Sequence, residues 1–389
     1  MKKTVLTISI LFSIFSFLYA EVNSNSEIKF IKGNISDKIA SVKDAEKEVS
    51  EKLSVKAVDF VLDNMDLLKD DRELSGLAVA AIMTFPETVF TEKPEETITK
   101  FSSIFYNFTD KNVRISVIEK LSAFSQKDSN NEVIRFLNTF LKESYDDNKK
   151  PSEVEKCAIT SLAQIGNSES FEILYSIYIN KKWSSLDNEI NSAIISLTEV
   201  SLKELILIIN ASDYTQMKLI SSIFVKNNKI SSSLKSEIAE KLLNSSMLIV
   251  RDSGSVTKDI ADFQIELCKV LYDNNWTRSS SLMLSYFDVA KTEQKAGFIT
   301  EEQFSDIIRY IEKLSSKEAV KVFVTYLESL NAEMNNGKVP SVTIVSALIS
   351  ALGDLGDKLA FDCLLYTTYL NYPEEIITQA RSALSSLKW

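Results

Sequence analysis

Residues 345–364, which read VSALISALGDLGDKLAFDCL, decide the fold. The apolar residues up to Leu355 recur at the spacing that places side chains on one face of a helix. Gly356 can then adopt the left-handed conformation that ends a helix, and Asp357 can cap the start of the next one. The stretch therefore predicts two helices joined by a short turn.

The same pattern of helix, turn and helix recurs along the chain from Ser54. The apolar residues of successive first helices match at similar offsets. At an offset of 39 residues, Leu74, Ala78, Ile82 and Phe85 match Val113, Val117, Leu121 and Phe124. At an offset of 35 residues, Ala158, Leu162 and Ile165 match Ala193, Leu197 and Val200, and at an offset of 32 residues, Ala351, Leu352 and Leu355 match Ala383, Leu384 and Leu387. Such two-helix units must stack on their neighbours to bury their apolar faces. The sequence predicts an all-α fold, a right-handed α-solenoid of stacked antiparallel helix pairs over residues 54–389. The loop at 251–256 is where the solenoid would be subdivided.

Composition supports helices and excludes several other classes of protein. The 389 residues include 8 Gly and 5 Pro, too few for the turns of a β-sandwich, barrel or propeller. Hydrophobic residues make up 45% of the chain, as in a globular protein rather than a disordered one. Because histidine is absent, Ser-His-Asp triads, His-ligated zinc and imidazole acid–base catalysis are excluded. The composition predicts a protein that is not an enzyme.

Residues 345–364 resemble the HEAT-repeat superfamily, specifically its short phycobilisome-lyase-type units with the pattern A-x-x-A-L-G-x-x-G-D-x-x-A-x-x-x-L. Residues 154–174 are similar to the same pattern, and Asp110, Val113 and Arg114 are similar to the D-x-x-V-R of a first helix. The resemblance covers 54–389, although the period blurs between 205 and 335. It implies a solenoid whose second helices line the concave surface. The iron hydroxylases of this superfamily use His-Glu motifs, which a chain without histidine cannot supply.

The first twenty residues have the features of a secretory signal. Lys2 and Lys3 precede an apolar run over residues 4–18, and cleavage is predicted after Ala20. An uncleaved anchor is the alternative, but the run is shorter than the ~20 residues that span a bilayer. We expect an exported protein, periplasmic or secreted, with no integral membrane segment after cleavage. Residues 21–53 are predicted to be a polar N-terminal segment, disordered over 21–35 and then helical.

The net charge and the cysteine content limit the kinds of partner and cofactor that we expect. The formal net charge is −10, and removing the two signal lysines lowers it to −12. Nucleic acid would repel so acidic a chain, so we expect protein partners, in particular cell-envelope components. Cys157, Cys268 and Cys363 match no metal-ligand spacing and are predicted to be small hydrophobic side chains. One disulfide or a reactive thiol is the alternative. No metal and no cofactor are expected.

Pairs of adjacent carboxylates offer little chemistry. They are Asp70/Asp71 with Glu73, Glu95/Glu96, Asp146/Asp147, Glu301/Glu302 and Glu374/Glu375. Almost all fall at predicted helix starts or in loops, where negative charge suits the helix dipole. Neighbours in sequence point apart on a helix, so they are poor acid–base pairs. No catalytic residue is predicted.

Aromatic side chains are the candidate partner-binding residues. Tyr366, Tyr369 and Tyr372 lie in the predicted second helix of the clearest unit, and Tyr178 and Trp183 occupy the equivalent stretch of an earlier one. If second helices line the concave surface, these rings can anchor a partner there. The alternative is a ring packed between repeats with its hydroxyl at the rim.

These observations favour an exported scaffold or adaptor that binds a protein partner along its concave surface. The alternative is an enzyme or a small-ligand carrier that uses a groove between helices. A pocket of convergent polar groups and buried carboxylates would favour the alternative, whereas an open aromatic groove would favour the scaffold.

Overall fold

A computed structural model describes residues 25–68, 70–128, 131–147, 149–253 and 256–388. Within these ranges the regular structure is helical, apart from an isolated bridge between Asp357 and Lys388. The prediction of an all-α fold is therefore confirmed. The predicted signal and its cleavage site at Ala20 lie outside the described residues. Among the helices that are described, none has both the length and the apolar character needed to cross a membrane.

The chain forms two compact units that divide after Ser201. The helices of the first unit are α1 (25–32), α2 (Ile35–Asp44), α3 (Lys47–Leu68), α4 (Arg72–Thr84), α5 (Glu87–Glu92), α6 (Pro94–Asn107), α7 (Lys111–Asp128), α8 (Asn131–Asp146), α9 (Glu153–Ile165), α10 (Ser168–Asn180) and α11 (Asp187–Leu197). One row is formed by α4, α7, α9 and α11, each in contact with the next. A second row is formed by α3, α6, α8 and α10, and each of its members packs on the first row. This is the stacking of helix pairs that the repeat predicts.

The matching positions of the repeat hold the first row together. Leu74, Ala78, Ile82 and Phe85 on and just after α4 are all buried, and so are their counterparts on α7. Burial of such apolar side chains is the main favourable contribution to folding. The turn before α7 is fixed by Asp110, whose carboxylate accepts the N–H of Asn112 at 2.7 Å. The core of this unit thus lies between the two rows.

The second unit has a less regular repeat. Its helices are α12 (Leu202–Ala211), α13 (Tyr214–Ile220), α14 (Ser232–Ser253), α15 (Lys258–Asp273), α16 (Ser280–Lys295), α17 (Glu301–Asn335), α18 (Val342–Leu355), α19 (Phe361–Thr367) and α20 (Glu374–Ser386), with a π-helical segment, Ser221–Val225, after α13. The long helix α17 packs on α15, α16, α18 and α19. It therefore forms the centre of this unit.

The turn between α18 and α19 has the predicted geometry. Gly356 adopts φ +65°, the left-handed conformation that favours glycine. The carboxylate of Asp357 then accepts the N–H of Leu359 at 2.9 Å. Gly353 allows α20 to approach, because a Cβ there would lie 3.0 Å from the Cβ of Ala383. Both predicted helices and the turn between them are confirmed.

The N-terminal prediction needs two corrections. A disordered start is wrong for residues 25–32, which form α1. Phe30 on this helix is buried, and the ammonium of Lys38 lies 5.1 Å from its ring centre and 5.0 Å from that of Phe60. These contacts attach α1 to α2 and α3. The predicted boundary at 53/54 also falls inside α3, which runs unbroken from Lys47.

Two predictions about the later chain also differ from the structure. The division into units comes after Ser201 rather than at 251–256. The helices on either side of that loop, α14 and α15, pack on each other, so the loop belongs inside the second unit. Val200 is exposed rather than buried like its repeat counterparts, because α11 ends at Leu197 and Val200 lies in the following turn.

Candidate functional site

Two of the predicted aromatic residues are exposed at the end of α19. Cys363, Leu364 and Thr367 share the buried face of this short helix. Tyr366 points away from that face, with 45% of its surface exposed, and Tyr369 in the following turn is 76% exposed. The turn is closed by a hydrogen bond from the N–H of Tyr369 to the carbonyl of Tyr366 at 3.0 Å. We call these two side chains the α19 surface.

The structure corrects the prediction for Tyr372, which is only 5% exposed. Its hydroxyl donates to Oδ1 of Asn331 on α17 at 3.2 Å. The amide of the fully buried Asn331 donates in turn to the carbonyl of Cys363 at 3.1 Å and to Oγ1 of Thr367 at 3.0 Å. Burial raises the pKa of Tyr372 to about 12. Tyr372 therefore joins the segment after α19 to α17 and is not available to a partner.

The aromatic residues of the first unit are more buried than predicted. Trp183 is 2% exposed, its indole N–H donates to the carbonyl of Lys149 at 3.1 Å, and its ring meets Tyr145 edge-on. The prediction that Trp183 contributes to a binding surface is therefore wrong. Tyr178 is half-buried, and the ammonium of Lys181 lies 3.9 Å from the centre of its ring. Of the five predicted residues, only Tyr366 and Tyr369 present an open aromatic surface.

The cysteines behave as buried thiols. Cys268 and Cys363 are buried, Cys157 is half-buried, and all three are free of disulfides. Burial raises the pKa of Cys157 to about 11 and that of Cys363 to about 12. At neutral pH these thiols are protonated and therefore poor nucleophiles. Within the described ranges, no group of three or more Cys, Asp or Glu side chains is placed to hold a metal ion.

A buried polar cluster between α15 and α16 was not predicted. Glu293 is fully buried, and one of its carboxylate oxygens accepts the hydroxyl of Tyr286 at 3.3 Å. Its other oxygen has no hydrogen-bond partner among the described residues, and neither does the side-chain amide of the fully buried Gln264. The negative charge of Glu293 also acts on Cys268, which lies one turn from Gln264 on α15. Burial raises the pKa of Glu293 to about 7.

A sequence signal for Glu293 exists. The buried residues of α16 recur at intervals of three and four: Met283, Tyr286, Phe287, Ala290 and Glu293. A carboxyl side chain thus continues an otherwise apolar face. Reading that period through Glu293 would have placed it in the core.

Comparison with known proteins identifies no relative from which a function follows. No protein-family model matches the chain, and no curated protein matches it. A solved chain from "Computational Design of Self-Assembling Cyclic Protein Homooligomers" aligns with 80% of this chain and 93% of its own length, at 16% identity and a TM-score of 0.12. A similarity at that TM-score carries no argument about fold or function.

Proposed function

We propose that this chain is an exported helical-repeat scaffold that binds a protein partner through the α19 surface. The observation that carries the proposal is the exposure of Tyr366 and Tyr369 beside the buried Tyr372. Tyrosines that lie on a rigid element are effective anchors, because they offer a large contact area and lose little conformational freedom on binding. The network of Asn331 on α17 holds α19 in place and supplies that rigidity.

Two further features support the proposal. The first is the HEAT-like pattern of residues 345–364, because proteins of that superfamily present their second helices to partners, and α19 is the second helix of this unit. The second is the signal-like sequence of residues 1–20, which favours a partner among the components of the cell envelope.

The charge of the chain favours a partner of opposite sign. The formal net charge of −10 falls to −12 when the signal is removed. Asp362 on α19 and Glu374 and Glu375 at the start of α20 are exposed near the two tyrosines in sequence. A partner with a basic surface around an apolar pocket would therefore associate fastest, and raising the salt concentration would slow that association.

Site-specific photo-cross-linking in intact cells tests the proposal. A benzoylphenylalanine at position 366 or 369 would report the protein in contact with the α19 surface. Val339 is a matched control position, because it lies in the same unit and is 76% exposed. We expect one cross-linked protein, identified by mass spectrometry, at both 366 and 369 and not at 339. The same adducts at all three positions, or none at 366 and 369, would refute the proposal.

A further inference from the structure

A polar cavity of about 660 Å³ lies in the first unit, separate from the α19 surface. Its wall includes Tyr106 of α6, Arg114 of α7, and Phe140 and Glu143 of α8. The volume falls within the range of small-molecule sites in proteins, roughly 300–1,000 Å³. Ligand recognition in such a cavity depends on which of its polar groups lack partners.

Arg114 is held in one orientation by aromatic rings. Its guanidinium carbon lies 4.3 Å from the ring centre of Phe105 and 5.3 Å from that of Phe140. Contact with two rings restricts the orientations open to the planar guanidinium group. Its Nε atom is buried and has no hydrogen-bond partner among the described residues. Arg114 therefore has a restricted orientation and unused hydrogen-bonding capacity.

A buried carboxylate acts on Arg114 through its charge but makes its hydrogen bonds to other groups. Glu155 accepts the backbone N–H of Ser152 at 2.8 Å and also its hydroxyl, as part of the cap of α9. Burial lowers the pKa of Arg114, because the charged guanidinium has lost part of its hydration. A bound anion would replace that lost solvation.

Negative groups also line the cavity. The hydroxyl of Tyr106 donates to Oε2 of Glu143 at 3.1 Å. Asp146 also lines the cavity and is exposed, whereas Asp147 forms an ion pair with Lys149 at 2.8 Å. Among the charged side chains of the wall, the guanidinium of Arg114 and the carboxylates of Glu143 and Asp146 are the ones that lie outside an ion pair. A simple anion would be repelled by these carboxylates, and a simple cation by Arg114.

We propose that this cavity binds a zwitterion, with its carboxylate on Arg114 and its ammonium group at Glu143 and Asp146. The planar fork of an arginine matches a carboxylate through two parallel hydrogen bonds. A free basic amino acid and the C-terminal lysine of a polypeptide share this chemistry. The site gives the first unit a ligand-binding role that does not depend on the α19 surface.

Calorimetric titration of the full chain tests the proposal with four probes. They are L-lysine, acetyl-Gly-Gly-Lys with a free C-terminal carboxylate, the same peptide as its carboxamide, and 1,5-diaminopentane. We expect lysine or the free-acid peptide to bind, and the carboxamide and the diamine to bind at least 10-fold more weakly. Lysine binding alone would indicate a free amino acid as the ligand, whereas peptide binding would indicate a chain terminus. Failure of both carboxylate probes, or equal binding of the carboxamide, would overturn the proposal.

Variants separate recognition from packing. Arg114→Met should weaken binding of the carboxylate probe at least 10-fold, whereas Arg135→Met, at an exposed arginine paired with Glu132 on α8, should leave it unchanged. Glu143→Gln keeps an acceptor for Tyr106 but removes a negative charge, and it should weaken binding several-fold. If Arg114→Met disturbs the fold, the proposal is still tested by Glu143→Gln and by the comparison of the free-acid peptide with its carboxamide. Unchanged affinity in both cavity variants would contradict the proposal.

Discussion

At the scale of single residues, Glu293 has the clearest consequence for stability. A carboxylate that is fully buried loses its hydration, and the hydroxyl of Tyr286 replaces only part of it. The pKa of Glu293 is therefore raised from 4.5 to about 7. The folded chain keeps this proton at pH values where the unfolded chain has released it. The contribution to stability is consequently complete below about pH 4.5 and is lost as the pH rises to 7.

We predict that the free energy of unfolding of the second unit falls between pH 5 and pH 8. A shift from 4.5 to about 7 corresponds to a loss on the order of 3 kcal/mol, at about 1.4 kcal/mol per pKa unit. Glu293→Gln should remove most of this pH dependence and raise the melting temperature at pH 8, because the neutral amide carries no charge to bury. Thermal melting at several pH values measures both effects.

The exposed Glu318 on α17 offers a matched control. Glu318→Gln should leave the pH dependence of melting as it is in the unaltered chain. If Glu293→Gln and Glu318→Gln give the same profile, the buried carboxyl does not contribute to the pH dependence.

Single residues also show where prediction from sequence stops. Tyr366, Tyr369 and Tyr372 are equally spaced, and the sequence placed them together as candidate anchors. The helix α19 ends at Thr367, and the chain then turns so that Tyr372 reaches Asn331 on α17. Helical periodicity cannot describe a side chain beyond the helix end, and the partner on α17 is 41 residues away in sequence. The burial of Tyr372 therefore depended on tertiary structure.

At the scale of elements, Asn331 of α17 connects three segments. Its side chain bonds with the carbonyl of Cys363, the hydroxyl of Thr367 and the hydroxyl of Tyr372. All four residues are buried. Removing the amide would leave the buried hydroxyl of Tyr372 without a partner, at a desolvation cost of roughly 1–3 kcal/mol. The hydroxyl of Thr367 and the carbonyl of Cys363 would each lose one bond but keep the bond that joins them, at 2.9 Å.

We predict that Asn331→Ala lowers the free energy of unfolding by about 2–4 kcal/mol, because it removes several of these bonds at once. Tyr372→Phe removes one hydrogen bond and keeps the ring, so it should cost about 1 kcal/mol. Denaturant unfolding measures both values. Asn335→Ala, at an exposed position on the same helix, is the control and should change little. Equal stability of Asn331→Ala and the control would show that the network does not hold α19.

The elements differ in how far the sequence predicted them. The turn at Gly356 and Asp357 was predicted because its chemistry is local: a left-handed glycine and a capping carboxylate. The repeat blurs between residues 205 and 335, where α17 continues for 35 residues without a turn and a π-helical segment follows α13. A two-helix unit needs a turn near its middle, so no offset could align these residues.

For the molecule as a whole, the composition of the sequence predicted the fold class but not where the chain divides into two units. Few glycines and prolines and a helical period predicted an all-α chain, which the structure confirms. The break after Ser201 has no proline or glycine beside it, so the loop at 251–256 was the stronger signal. The cavity at Arg114 also required tertiary structure, because its wall comes from three helices.

The proposed export makes a prediction for the whole chain. The sequence of exported material should begin at Glu21, since the apolar run ends before Ala20 and small or neutral residues precede the cleavage point. Deleting residues 4–18 should retain the protein inside the cell. N-terminal sequencing of the exported and retained fractions measures this directly. A mature protein that begins at Met1 would contradict the predicted cleavage.

If Tyr366 and Tyr369 bind a protein partner, the affinity of the cross-linked partner for purified variants must depend on these two side chains. We predict that Tyr366→Ala and Tyr369→Ala each weaken binding about 10-fold or more, at an unchanged melting temperature, because both rings are exposed. Tyr372→Ala, the buried control, should instead lower stability by about 3 kcal/mol or more. If both exposed variants bind the partner as tightly as the unaltered chain does, the α19 surface is not the binding site.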